Sequence, residues 1–274
     1  TETINLNSFL LRKNELLLVV PSHVEKFFVG QPEETAVRMC KESLTHDFDF
    51  TVCTMLASDE KYHRSLLAFN RFGFTSQNTQ FLAVDNRDGN CFDGYEWTRR
   101  MLPECRGRYV VVCHDDVELI DDGFDELSRC LSDLTALDPT WALAGTAGGL
   151  LGWKRIEKRF RLAVRITDPS STDRRIGTLP ARCESLDENF IIMRRDQPVT
   201  GSADLSGFHL YGTDLCLRAE LAGFTSYVID FHLHHHGSGH KGGSYRQQKM
   251  RLEAKYRNIF PGRRVSTSTE ILRF

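Results

Sequence analysis

Apolar positions in the first half of the chain gather into short runs, and between the runs they recur every three or four residues. Phe50-Thr-Val-Cys-Thr-Met-Leu56 reads as a buried strand. Ser58 then caps a helix whose stripe is Tyr62, Leu66 and Phe69, and Gly73 ends it. Gln80-Phe-Leu-Ala-Val84 is a second strand, running into Asp85 and Asn86, and a helix over Asp93–Leu102 follows, closed by Pro103. Arg108-Tyr-Val-Val-Val-Cys113 is a third strand. After His114-Asp115-Asp116-Val117-Glu118, a helix carries Phe124, Leu127, Leu131 and Leu134 on one face. Strands alternating with helices predict parallel pairing through right-handed crossovers.

The flanks are less regular. Residues 1–45 read as an N-terminal extension, with a strand at Glu15–Val20 and a helix from Pro32 to about Leu44. In the second half, Gly145-Thr-Ala-Gly-Gly149 reads as a flexible loop, and Arg159–Thr167 and Cys183–Arg194 as strands that pair. Thr213 is the expected N-cap of a short helix to Ala222, with Gly223 behind it. Tyr227–His232 is a last strand, and Ser244–Asn258 a basic helix. The fold class is α/β, a parallel sheet continuing into a mixed one within a single domain.

Composition narrows the function classes. With 274 residues and 41% apolar content, the chain can bury a sizeable core. The near balance of 35 bases against 37 acids argues against a general nucleic-acid binder. Pro139–Trp153, the longest uncharged stretch, is too short for a membrane span of roughly 20 residues. No basic-then-apolar leader opens the sequence, and its eight cysteines form no CxxC pair, so reduced thiols and a cytoplasmic location are expected. The charge is nonetheless polarised. Asp115–Asp138 holds nine acids against Arg129, whereas Lys241–Arg264 holds eight bases against Glu253. A cation site and phosphate sites are therefore both available.

Asp115, Asp116 and Glu118 follow a strand, and open α/β sheets bind ligands beyond the carboxyl ends of their strands. Carboxylates there suit a hard divalent cation, Mn2+ or Mg2+, although acids so placed also cap helices, as Asp121 and Asp122 are well positioned to do. Val-Val-Cys-His-Asp-Asp-Val-Glu, followed by a helix and Ala-Gly-Thr-Ala-Gly, resembles the acidic-motif strand of GT-A glycosyltransferases, closest to the family-2 type with a His-x-Asp-Val motif. A second likeness lies in Ser185-Leu-Asp-Glu-Asn-Phe190 and Gly207-Phe-His-Leu-Tyr-Gly-Thr-Asp-Leu-Cys-Leu-Arg218, with Ala222-Gly-Phe224 behind. The resemblance spans about Phe50 to Tyr256.

The resemblance implies a GT-A type Rossmann-like half over 46–150 and an acceptor half over 151–274. It implies a nucleotide-sugar donor held by Thr54 to Ala57, Asp85 and Asn86, with Asp115 beside them and Asp116 meeting a metal on the donor diphosphate. It further implies that Asp214, in the first turn of its helix, is the catalytic base towards a glycan acceptor, with Glu188 in reserve and Asp187 touching sugar or acceptor. A helix N-terminus favours such a carboxylate as the anion, so an Asp214→Asn change is expected to spare folding and remove transfer. His114 stands where the first acid of a DxD motif would be, and Gly212 where the family often has an acid.

Five histidines fall in nine positions from His232 to His240. On a strand, His232, His234 and His236 share a face and His235 takes the other. His236 is the expected additional metal ligand, with His234 as alternate, joining Asp116 and Glu118. Lys241 and Arg246, on and after a Gly-Ser-Gly-His-Lys-Gly-Gly loop, would meet a departing diphosphate, and Trp153 would stack on a sugar ring or pack as core. The expected activity is inverting glycosyl transfer. Two rivals remain: a two-metal hydrolase using Asp115, Asp116, His234 and His236, and a non-catalytic nucleotide-sugar or glycan-binding module.

Overall fold

The computed structural model describes residues 45–151, 161–237 and 242–274. The predicted N-terminal strand and helix, Trp153 and Lys241 with most of its glycine loop lie outside them. The three apolar runs form β1 (Phe48–Leu56), β2 (Thr79–Asp85) and β3 (Gly107–His114), with β1 in the middle and parallel to both. Between β1 and β2, α1 (Asp59–Arg71) starts at Ser58, whose side chain accepts from the Lys61 N–H. It ends at Gly73, whose φ of 93° needs no Cβ. The helix expected over Asp93–Leu102 is shorter: α2 (Trp97–Met101) passes into a single 3-10 turn at Pro103. After β3 come β4 (Val117–Leu119) and α3 (Phe124–Leu137), which buries the predicted Leu127, Leu131 and Leu134. Phe50, Phe74 and Phe124 lock α3 onto the sheet through edge-to-face contacts of 5.3–5.5 Å.

The glycine stretch is not a loop. It forms β5 (Trp141–Gly145) and β6 (Ala147–Leu150), almost entirely buried. Its glycines serve close approach instead of flexibility: a Cβ on Gly148 would lie 2.2 Å from the Ser185 carbonyl oxygen, and one on Gly149 1.9 Å from that of Ser266. Next come β7 (Leu162–Asp168), β8 (Ser171–Ile176), β9 (Ala181–Leu186) and β10 (Phe190–Arg194). The two predicted strand segments do not pair with each other. β6 lies between β7 and β9, while β10 sits between β3 and β5.

The N-cap of helix α4 (Tyr211–Leu221) is Leu210, three residues before the expected Thr213, which lies inside the helix. The predicted last strand is broken into β11 (Thr225–Val228) and β12 (Leu233–His235), which join different parts of the sheet. After α5 (Gly243–Tyr256), a terminal hairpin, β13 (Arg264–Ser266) and β14 (Ile271–Arg273), packs against Gly149.

The strand order is β2-β1-β3-β10-β5-β11-β9-β6-β7-β12-β4, with β8 on β7. The result is the expected parallel half continuing into a large mixed sheet. Only Asp115 and Asp116 separate β3 from β4, yet seven strands lie between them in this order. The sheet therefore curls, and the carboxyl ends of β1 and β3 face the inside of the curl. Among the described residues, no helix is long and apolar enough to cross a membrane.

Replacing Gly149 with Ala should destabilise the protein by about 1–3 kcal/mol, because backbone must move to admit the methyl. That corresponds to a fall of roughly 2–12 °C in Tm. Gly243→Ala, which meets nothing within 4 Å at the first position of α5, should not lower Tm in the same thermal melt.

Candidate functional site

A cleft of about 1010 Å3 opens inside the curl, lined by the ends of β1 and β3, the turn between β9 and β10, and the start of α4. At the end of β3, Asp115 and Asp116 have separate tasks. Asp115 accepts the Ala57 and Ser58 N–H groups at 2.9 and 2.8 Å, tying the entry of α1 to β3. Asp116 faces His235, whose Nε2 is 3.3 Å from its Oδ1, with His114 Nδ1 4.0 Å away and Lys61 3.6 Å from the other oxygen. One ligand atom from each of His114, Asp116 and His235 lies within 4.8 Å of the others. Asp116 Oδ1 is buried and has no hydrogen-bond partner of good geometry.

The electrostatics suit metal coordination. Burial pushes the Asp116 carboxyl up, but His235, His114 and Lys61 outweigh it and hold the group well below the ordinary carboxylate range. Burial, then His235, lowers His114, keeping it neutral and able to coordinate. His235 is pulled down by burial, yet Asp116, with help from Asp187 and Asp168, leaves it above its ordinary value. Two imidazoles and a carboxylate fit Mn2+ better than Mg2+, which prefers oxygen ligands throughout.

The opposite wall carries Asp187 and Glu188. Asp187 accepts the Ser268 hydroxyl at 2.7 Å and the Asn189 N–H at 3.3 Å. Burial, and then the Asp187 charge, push the Glu188 carboxyl up to about 8, against hydrogen bonds from the N–H groups of Glu188, Gly212 and Leu210. Leu210 has a φ of 62°, a left-handed conformation costly for a branched residue, and here it caps α4 while lining the cleft. The anion-stabilising N-terminus of α4 is thus directed at Glu188. Gly212 leaves that approach clear, since a Cβ there would sit 2.4 Å from the Leu186 carbonyl oxygen.

Asp214 does not reach the cleft. It is fully buried, and its carboxylate accepts the Tyr256 hydroxyl at 2.6 Å, the Ser202 hydroxyl at 2.6 Å and the Ser202 N–H at 2.8 Å. These bonds fasten α4 to α5 and to the segment before it. A base at Asp214 is corrected on that ground: no free lone pair faces solvent or substrate.

No family model matches the chain. It is 47% identical over 215 residues to the protein "ATP synthase subunits region ORF 6" of Fuscovulum blasticum, covering 78% of this chain and 86% of that protein. The chain belongs to that ORF 6 family. Among solved structures, a mannosyltransferase, PcManGT, from Pyrobaculum calidifontis in complex with GDP-Man and Mn2+ has a TM-score of 0.45 at 12% identity. The match takes in 76% of this chain and 62% of that one. S. aureus TarS 1-349 in complex with UDP has a TM-score of 0.47 at 8% identity, over 77% of this chain and 66% of that one. For S. aureus TarS the corresponding values are 0.45, 10%, 77% and 40%.

In this ORF 6 family chain, Ala57, Asn86, Asp115, Asp116, Asp187 and Glu188 line the cleft as a group. Thr54 does not: it is buried against Cys113, and its neighbour Met55 faces the cleft instead. Asp85 turns outward to Arg87, which also holds Asp59. Glu118, His234 and His236 do not join Asp116. They form their own cluster, with His236 Nε2 2.8 Å from Glu118. The binuclear arrangement of Asp115, Asp116, His234 and His236 is therefore not assembled. His232 is buried between Asp121 at 2.8 Å and Thr167 at 3.0 Å.

Sequence reasoning passed over His235 and His114 as ligands. It also passed over Asn189, whose buried Oδ1 lacks a partner in the cleft wall, and Arg174, a cleft cation 3.8 Å from Asp168. The missing signal for His235 was the register of β12.

Asp214→Asn in the ORF 6 family chain should be destabilising, reversing the expectation from sequence. The amide cannot accept all three donors, which costs about 1–3 kcal/mol for the one left unsatisfied. Chemical denaturation should show a lower midpoint at unchanged slope.

Proposed function

We propose that the chain is a glycosyltransferase that moves a sugar from a nucleotide-sugar donor to an acceptor hydroxyl, with inversion. One observation carries the proposal. The buried Asp116 oxygen without a hydrogen-bond partner, flanked by His114 and His235, lies in the same cleft as Glu188, a carboxyl with a raised pKa. The likeness of His114-Asp115-Asp116-Val117 to the GT-A motif agrees with this. A Mn2+ or Mg2+ ion held by His114, Asp116 and His235 would supply charge neutralisation for the donor diphosphate. Met55, Ala57 and Asn86 line the part of the cleft next to the strand ends, where the nucleotide would lie.

Glu188 takes the role first given to Asp214. As the acceptor oxygen bonds to the anomeric carbon and the bond from that carbon to the diphosphate oxygen breaks, the acceptor proton passes to the Glu188 carboxylate. A base with a pKa of about 8 retains enough proton affinity to assist near neutral pH. The N–H groups of Leu210 and Gly212 stabilise its anion and orient it. Asp187, fixed by Ser268, and Asn189 are placed to hold sugar or acceptor hydroxyls. A non-catalytic binding module would have no need of a carboxyl poised in this way.

The deciding experiment is a thermal-shift screen of nucleoside diphosphates with and without Mn2+. A ligand present at 100 times its Kd should add about 2.7 kcal/mol to the stability, and Asp116→Asn or His235→Ala should abolish the Mn2+-dependent part. No shift with any nucleotide refutes the proposal.

For Glu188, transfer should rise with pH and level off above about 8, because the ionised carboxylate is the active form. Glu188→Gln should lose that limb and most turnover while still binding nucleotide. Its stability should change in a set direction. The unfolded carboxyl titrates near 4.3, so burying Glu188 costs nothing below that pH and costs most above about 8. Glu188→Gln should therefore melt higher than the parent at pH 9 and show no such gain at pH 4.

A further inference from the structure

The β4–β12 ladder, which carries His235 and directly follows Asp116, has a second face. β4 and β12 pair antiparallel with Glu118 directly opposite His234 and Val117 opposite His235. Side chains alternate along a strand, and directly opposed residues share a face. Val117, Leu119 and Leu233 are buried on one face, which also carries the half-buried His235. Glu118 and His234 lie on the other, joined by His236 just beyond the strand end.

On that outer face, His236 Nε2 is 2.8 Å from Glu118 Oε2, and the rings of His234 and His236 stand 3.9 Å apart. One ligand atom from each of the three residues lies within 4.8 Å of the others. The Glu118 and His236 side chains are each 31% exposed, so an ion could enter from solvent and keep an open position for water.

We infer that Glu118, His234 and His236 form a second metal site, separate from the cleft, that takes a borderline-soft transition ion of the Zn2+ class. Two imidazoles with one carboxylate are a recurrent zinc donor set, and imidazole favours such ions over Mg2+ or Ca2+. The site does not depend on the nucleotide-sugar reading, since its ligands point away from the residues assigned to the donor. Its position suggests what it does. β4 and β12 share only three residue pairs, and an ion bound to Glu118 on one and His234 on the other cross-links them. That holds the ladder whose inner face presents His235, beside Asp116.

The test uses the full chain, free of any added histidine tag and stripped of metal with a chelator. Co2+ is followed by its visible absorption and Zn2+ by calorimetry. The parent should bind two equivalents, and Asp116→Asn, which removes a ligand of the cleft triad, should keep one. Adding His236→Ala or, to guard against misfolding, the isosteric Glu118→Gln should abolish that remaining equivalent or weaken it at least roughly tenfold. His236→Ala alone should retain the Mn2+-dependent nucleotide shift. The inference is overturned if Asp116→Asn binds no Co2+ or Zn2+. It is equally overturned if the retained equivalent is unaffected by both His236→Ala and Glu118→Gln.

Discussion

Two residues, Asp115 and Asp116, carry the chain from β3 to β4, and that short step governs the rest of the molecule. Strands so close along the chain would ordinarily be near neighbours in a sheet. Here seven others intervene, so the sheet must curl until its far edge returns to its starting strands. The curl creates the cleft, and the connecting residues form its floor. Asp115 gives its carboxylate to the backbone at the entry of α1, and this frees Asp116 to face inward. A single dipeptide thus divides structural and chemical duties between two adjacent identical side chains.

The opposite wall shows a similar division. The N-terminus of α4 could support an acid on its own first turn or one arriving from outside. Asp214 is spent on Tyr256 and Ser202, and Gly212 has no side chain to offer. Glu188, on the turn between β9 and β10, comes to the helix end instead and meets its N–H groups. The principle that a helix N-terminus favours a carboxylate applied as expected, but to a residue distant in sequence.

That contrast marks how far the sequence could be read. The parallel half was legible because its signals are local: the runs at Phe50, Phe81 and Tyr109 and the stripe at Leu127, Leu131 and Leu134 need no knowledge of their partners. Gly145–Gly149 was misread because glycine signals both loops and crowded strands, and only the Ser185 and Ser266 carbonyls distinguish the two. His236 was chosen one residue away from His235, the side chain that faces the cleft. A one-residue error on a strand exchanges its faces. Register depends on pairing with β4, which lies far off along the chain. The acidic strand end, the Asp187–Glu188 pair and the histidine cluster were all visible as chemistry, but their grouping was not.

The β4–β12 ladder also bears on how the chain folds. Its pairs join residues 114 to 118 positions apart, from Leu233–Leu119 to His235–Val117. Closing so long a loop loses conformational entropy before any contact compensates, so such pairings form late. β1, β2 and β3 with α1 and α3 draw on much nearer partners and need no such closure. The triads His114–Asp116–His235 and Glu118–His234–His236 therefore come together only when the last edge of the sheet returns, and a nascent or partly folded chain presents neither. An ion held by either triad would mark completed folding and could not seed it.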